Sequence, residues 1–156
     1  MNIVAVIARP VGMLDRGLES LQPLVAITTR CWVSWQFLKS GMLKLEDWET
    51  TLFLFQEEYR TPVLSPQLAA VAGTAGELFF PLLLIAGLFG RLAAVGLLAV
   101  NVMAVVAYAH VLLSPGFEAA LGQHHLWGFM LVILAVYGPG RYSLDAWFGS
   151  RRAAPD

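Results

Sequence analysis

Apolar residues fall into four long blocks, at 23–43, 68–89, 92–113 and 121–138. A helix needs about 20 such residues to cross a hydrocarbon core about 30 Å thick, so each block is a candidate crossing. The second and third are separated by Gly90-Arg91 alone, which predicts two antiparallel helices joined by a tight turn. The fourth is unbroken only over 126–137, a length that also suits a re-entrant segment, yet the run Gly138-Pro139-Gly140-Arg141 supplies a sharp helix stop where a membrane exit is needed. The expected architecture is an all-α integral membrane protein. A four-helix transmembrane bundle over 23–140 is preceded by an interfacial segment, 1–22, and followed by a cytoplasmic tail, 141–156.

The connection between the first two blocks, about 44–67, has a pattern of its own. Trp48, Leu52, Phe55 and Tyr59 fall at i, i+4, i+7 and i+11 among Glu46, Asp47, Glu49, Gln56 and Glu57, one apolar stripe at helical spacing. An additional amphipathic helix at about 46–60 is expected in this first outer loop, lying flat at the interface or acting as a lid over the mouth of the bundle. Pro62, Ser65 and Pro66 end it.

Composition narrows the class. Apolar residues make up 58% of the 156, charged residues 13%, and the mean hydropathy is +0.66, whereas an average soluble domain is about 25% charged. A soluble monomer is excluded, and the length suits one membrane domain. The net charge is -1 and no basic run exceeds Arg151-Arg152, so the footprint of a nucleic-acid binder is absent. Cys31 is the only cysteine, which removes an internal disulfide, a redox pair and a thiolate cluster. Electron chemistry would require a bound cofactor. The apolar stretch from Ile3 to Ala8 is too short for a secretory signal and is interrupted by Arg9-Pro10. With four crossings, Arg9, Arg16, Arg91, Arg141, Arg151 and Arg152 share one side, against Lys44 and Arg60 on the other with Lys39 near that boundary. The excess marks the cytoplasmic side, so both termini are expected in the cytoplasm of a bacterial inner membrane. The outer face is acidic, with Glu46, Asp47, Glu49, Glu57, Glu58 and Glu118.

Ionisable residues at membrane depth cost about 2.5 kcal/mol or more each, so they face the bundle interior and pair. Arg30 and Glu77 are the two that stand out. Taking the first crossing to begin at Pro23 and the second at Leu68, their heights differ by roughly 6 Å, which predicts an Arg30 to Glu77 ion pair. Two readings stay open: glue between the first two helices, or the polar lining of a pocket in which Glu77 relays a proton and Arg30 holds a ligand oxygen. The three histidines, His110, His124 and His125, converge on the outer layer. They suggest copper or haem at His110 and His124, a hydrogen bond from His110 to a quinone carbonyl, or ordinary interfacial placement. Adjacent His124 and His125 point about 100° apart on a helix, so at most one faces His110. Asn101, midway through the third block, extends either site, or makes an interhelical hydrogen bond.

Taken in order, Arg30, Phe37, Gly41 and Lys44, then Glu77, Pro81, Leu84, Gly87 and Arg91, and finally Gly138-Pro139-Gly140-Arg141-Tyr142-Ser143-Leu144-Asp145 resemble the DoxX family of small bacterial membrane proteins. The resemblance implies a membrane-embedded helical bundle and, as in the name-giving member, a subunit of a thiosulfate:quinone oxidoreductase. Other relatives look tied to quinone or oxidative-stress metabolism, and some are encoded near metal-handling peptide systems. The chain departs from the plainer pattern in its acidic first loop and its His124-His125 pair. The expected function is a quinone-linked oxidoreductase subunit with Arg30, Glu77, Asn101 and His110 about the quinone and Arg30 and Glu77 in the chemistry. Because nothing in the chain supplies electrons, a partner redox protein is implied beside the lipid bilayer, and an oligomer is compatible with so small a bundle. The alternatives are a non-enzymatic scaffold or assembly factor, and a metal-linked protein using the outer histidines.

Overall fold

Caps and breakers divide the chain into seven helices among the residues that the computed structural model describes, 3–152, with side chains described for 12–150. Residues 153–156 of the expected tail, and the side chains of Arg9, Arg151 and Arg152, lie outside the described residues. Helix α1 (Ile3–Glu46) is unbroken over 44 residues, about 66 Å at 1.5 Å per residue. From Ile3 onward the segment 1–22, expected as an interfacial lead-in, is helical and continuous with the rest of α1. Asp47 then ends α1 and opens α2 (Trp48–Glu57), accepting hydrogen bonds from the Thr50 backbone nitrogen at 3.0 Å and from its hydroxyl at 2.7 Å. These bonds hold the exposed Asp47 carboxyl below the usual carboxylate range.

Ser65 caps α3 (Pro66–Ala86), whose first position is a proline. Gly87, at φ +66°, ends it in the left-handed conformation that favours glycine. After three residues α4 (Gly90–Ala107) returns antiparallel to α3. The third apolar block, expected as one crossing to residue 113, is split at Tyr108. The Arg60 backbone nitrogen, in the loop after α2, donates to the Ala107 carbonyl at 2.8 Å, and the Val111 nitrogen turns to Tyr108 instead. Beyond the split lie a separate turn, α5 (Ala109–Leu112), and then α6 (Glu118–Tyr137) and α7 (Leu144–Arg152).

Helix α1 packs on α3, α3 on α4 and α4 on α6. Val33 and Phe37 from α1, Leu84 from α3, Ala93, Ala94 and Leu97 from α4, and Leu131 and Leu134 from α6 make the core. A second cluster joins Phe55 of α2 to Ala69 and Ala70 of α3, flanked by Trp48, Leu52 and Tyr59. Gly41 sets the register of α1 on α3, because a Cβ there would stand 2.9 Å from the Leu78 side chain and 3.1 Å from the Glu77 Cβ. The outward faces are apolar too, with Trp32, Trp35, Phe79, Leu82, Val95 and Phe129 exposed, as expected of helices whose solvent is lipid. Among the described residues, three helices, α3, α4 and α6, are long and apolar enough to cross a membrane. Helix α1, which carries Arg30, Lys39 and Lys44, is not one of these three.

Candidate functional site

The register dictates where the buried charges fall. Gly41 lies opposite Glu77, so Arg30, eleven residues earlier on α1, is displaced about 16 Å along the helix axis. It sits beside the last turn of α3, 1% exposed. Its Nη2 donates to the carbonyls of Ile85 at 3.0 Å and Tyr142 at 2.9 Å, and its Nη1 donates to the carbonyl of Pro139. The Ile85 carbonyl belongs to the end of a helix, where no backbone donor follows in sequence, and the guanidinium supplies it.

The Gly-Pro-Gly-Arg-Tyr-Ser-Leu-Asp run is thereby drawn over that end of the bundle. The Asp145 carboxylate accepts from the backbone nitrogens of Phe89 at 2.8 Å and Gly90 at 2.7 Å, capping α4, while its own nitrogen donates to the Gly87 carbonyl at 3.0 Å. Ser143 donates to the Gly140 carbonyl at 2.6 Å and accepts from the Ala146 nitrogen at 3.2 Å. Gly90 allows the approach, since a Cβ there would meet Pro139 at 2.6 Å. This is a latch: one cation and one carboxylate tie α1, the α3–α4 turn and the start of α7 together.

The expected Arg30 to Glu77 ion pair is therefore not formed. Taking Pro23 as the start of a crossing places Arg30 well inside the bundle, whereas the packing of α1 on α3 leaves it at the end. Arg30, expected as a catalytic and ligand-binding residue, serves backbone carbonyls and lines no part of the cavity beside Glu77.

Glu77 has a different partner. Lys44 Nζ lies 2.7 Å and 2.5 Å from the two carboxylate oxygens and 2.9 Å from the Ser40 hydroxyl. Helical side chains lean toward the N-terminus of their helix, so Lys44, nearly one turn past Gly41, reaches back to the level of Glu77. Lys44, expected as a charge flanking an outer loop, belongs to the last turn of α1.

The pair forms one wall of a cavity of about 450 Å³, within the range of about 300–1,000 Å³ typical of small-molecule sites. Ala69, Gly73, Phe80, Val100 and Met103 make it apolar, and Ser40, Tyr59, Tyr108 and His124 add polar groups. Helix α2 and the residues after it cover one side. The Thr51 hydroxyl donates to the Lys44 carbonyl at 3.0 Å, and the Arg60 nitrogen to that of Ala107, which fastens this cover to α1 at one end and α4 at the other. Edge-on ring contacts run from Phe55 to Tyr59 at 4.8 Å and on to Tyr108 at 5.3 Å. Burial, then Tyr108, Glu77 and Glu58, push the Tyr59 phenol up, so at neutral pH it remains a hydrogen-bond donor at the cavity wall.

The remaining predicted residues separate. Asn101 is buried and fully engaged with His124: its Nδ2 donates to the His124 carbonyl at 3.0 Å, and its Oδ1 lies 2.8 Å from His124 Nδ1. It stands behind His124 and does not line the cavity. His110, expected in the third crossing, is exposed in α5 with its ring against Tyr108 at 5.6 Å, and His125 is exposed. The structure thus places His124 on the cavity wall and leaves His110 off it. Among the described residues no group of three or more His, Cys, Asp or Glu is placed to hold a metal ion. Sequence reasoning missed Lys44, Ser40 and Tyr59 as cavity residues. The signal for Lys44 was present: Arg30, Phe37, Gly41 and Lys44 are spaced 7, 4 and 3 apart, which puts them on one face of a helix, with Ser40 one turn below Lys44.

The DoxX family model matches residues 25–110, a stretch that includes Arg30, Lys44, Glu77 and the α3–α4 hairpin. No curated protein and no solved structure matches the chain.

Proposed function

The chain belongs to the DoxX family, and from that premise we propose that it is a membrane subunit of a quinone-linked oxidoreductase, holding a quinone head group in the cavity beside Lys44 and Glu77. The observation that carries this reading is the cavity itself: about 450 Å³, with mainly apolar walls and a few polar groups, the arrangement that suits a flat apolar ring bearing two oxygens. Lys44 directs its donors to Ser40 and Glu77, so the hydroxyls of Ser40 and Tyr59 are the donors for a ligand carbonyl. Glu77 brings negative charge and unused lone pairs to the same corner, and Lys44 holds that charge in place. A quinone bound there supplies two-electron redox chemistry; the electrons come from a partner protein.

In this reading α1 is the fourth crossing of a four-helix transmembrane bundle in the bacterial inner membrane, both termini are cytoplasmic, and the latch lies at the cytoplasmic end. Helix α2 is then the extra helix of the first outer loop, serving as the lid. With Cys31 replaced by serine, Asp15→Cys should resist an impermeant maleimide in intact cells while Glu57→Cys is labelled. Labelling of both from outside would remove the first crossing.

The direct test of function is extraction of quinone from gently purified protein, followed by titration of the stripped protein with a one-isoprene ubiquinone, read by quenching of tryptophan fluorescence. Near one quinone per chain and saturable quenching are expected. Protein that is folded, carries no quinone and shows no saturable quenching would shift the reading to the scaffold.

A further inference from the structure

We infer that His124 is an uncharged acceptor in the cavity for a ligand hydroxyl, distinct from the Glu77 carboxylate that Lys44 holds, and that Asn101 is the positioning residue that makes it one. Donors and acceptors can be matched one by one. Asn101 Nδ2 faces the His124 backbone carbonyl at 3.0 Å, and a carbonyl only accepts. The NH₂ group must therefore be on that side, which leaves the amide oxygen facing His124 Nδ1 at 2.8 Å. An amide oxygen also only accepts, so Nδ1 must carry the proton. In a neutral imidazole the other nitrogen is then a bare acceptor. His124 Nε2 has no partner among the described residues, and the ring lines the cavity. Trp127, edge-on to the ring at 4.9 Å, and buried Asn101 hold it in this orientation.

The cavity consequently offers two unlike kinds of polar partner to a ligand. Hydroxyl donors stand at Ser40 and Tyr59, beside the Lys44–Glu77 pair, and an uncharged acceptor stands at His124 on α6. The chemical class that satisfies both is a ring with one oxygen able to accept and another carrying a proton, that is, a phenol or hydroquinone. A fully oxidised quinone leaves Nε2 facing a carbonyl, two acceptors in apposition. This deepens the quinone reading, on which the identity of the natural ligand rests: the same cavity favours the reduced form.

Two measurements test the assignment separately from that reading. In protein labelled with ¹⁵N-histidine and assigned against His124→Asn, the nitrogen shifts of His124 should show the Nδ1–H tautomer in wild type, and lose it in Asn101→Leu. An Nε2–H tautomer or an imidazolium in wild type would overturn the proposal. The binding probe is 4-hexylphenol against 4-hexylanisole, which differ only in the donor. Wild type should prefer the phenol by about tenfold, the worth of one hydrogen bond in such a site. His124→Gln, which keeps an acceptor near the Nε2 position, should retain most of the preference; His124→Asn, which keeps only the bond to Asn101, should lose it. Equal preference in wild type and His124→Asn would overturn the proposal. Phenol discrimination without binding of one-isoprene ubiquinone or its quinol would leave the acceptor standing and defeat the quinone reading, whereas quinone binding without phenol discrimination would do the reverse.

Discussion

Replacing Arg30 with leucine should unseat one end of the bundle. The substitution strands the carbonyls of Ile85, Pro139 and Tyr142, all of which the guanidinium now supplies. An unsatisfied buried acceptor costs about 1–3 kcal/mol, and a hydrogen bond from a charged donor is worth about 1.5–3 kcal/mol, so a loss on the order of 4 kcal/mol is expected. For a domain of this size that corresponds to a fall in melting temperature of more than about 10 °C, measurable by fluorescence-detected size exclusion after heating in detergent. Arg30→Lys should fall between the two, because an ammonium is a single point of charge and lacks the planar fork that reaches three carbonyls at once. Asp145→Ala should cost less, about 1–2 kcal/mol for a lost helix cap. Its effect should add incompletely to that of Arg30→Leu, since both hold the same turn. The folded fraction of Arg30→Lys should bind quinone as wild type does, the cavity corner being about 16 Å away. An unchanged melting temperature in Arg30→Leu would remove the latch, and weakened binding by folded Arg30→Lys would return Arg30 to the site.

How much of the fold was legible in the sequence depends on the kind of information each feature needs. The α3–α4 hairpin is local: Gly90-Arg91 between two apolar blocks leaves no other path. The stripe Trp48, Leu52, Phe55 and Tyr59 is also local, and all four residues meet the second core cluster. Which buried charge meets which is not local. It depends on how far α1 slides along α3, and that register is set by the small surface of Gly41 against Leu78, a contact with no signature in periodicity. Arg30 and Lys44 are 14 positions apart on the same helix, so a slide of about four turns exchanges one for the other as the neighbour of Glu77. The break at Tyr108 was hidden for a similar reason: the hydrogen bond that ends α4 comes from Arg60, 47 positions earlier in the chain. The closing Gly-Pro-Gly-Arg motif was visible as a helix stop, but its use as a socket for Arg30 requires the folded end.

The largest effects at the cavity should come from separating Lys44 and Glu77. Lys44→Met leaves a carboxylate in an apolar wall with its cation removed, and Glu77→Gln leaves the ammonium with the Ser40 hydroxyl and a neutral amide. Breaking a buried pair from one side costs about 3–5 kcal/mol, chiefly through the charge left behind, whereas removing both charges is often close to neutral. The double variant Lys44→Met/Glu77→Gln should therefore be more stable than Lys44→Met alone, with a coupling energy of about 2 kcal/mol in the cycle. Stability recovered in this way separates folding from function. If the pair is the polar corner of a ligand site, the well-folded double variant should bind one-isoprene ubiquinone at least about tenfold more weakly, because the Ser40 hydroxyl is no longer held by Lys44 and the charge that orients the head group is gone. If it binds as tightly as wild type, the pair is packing between α1 and α3, and the cavity has lost the feature that distinguishes a binding site from a gap between helices. A double variant no more stable than Lys44→Met would instead show that the two charges are not coupled, against the 2.5 Å contact between them.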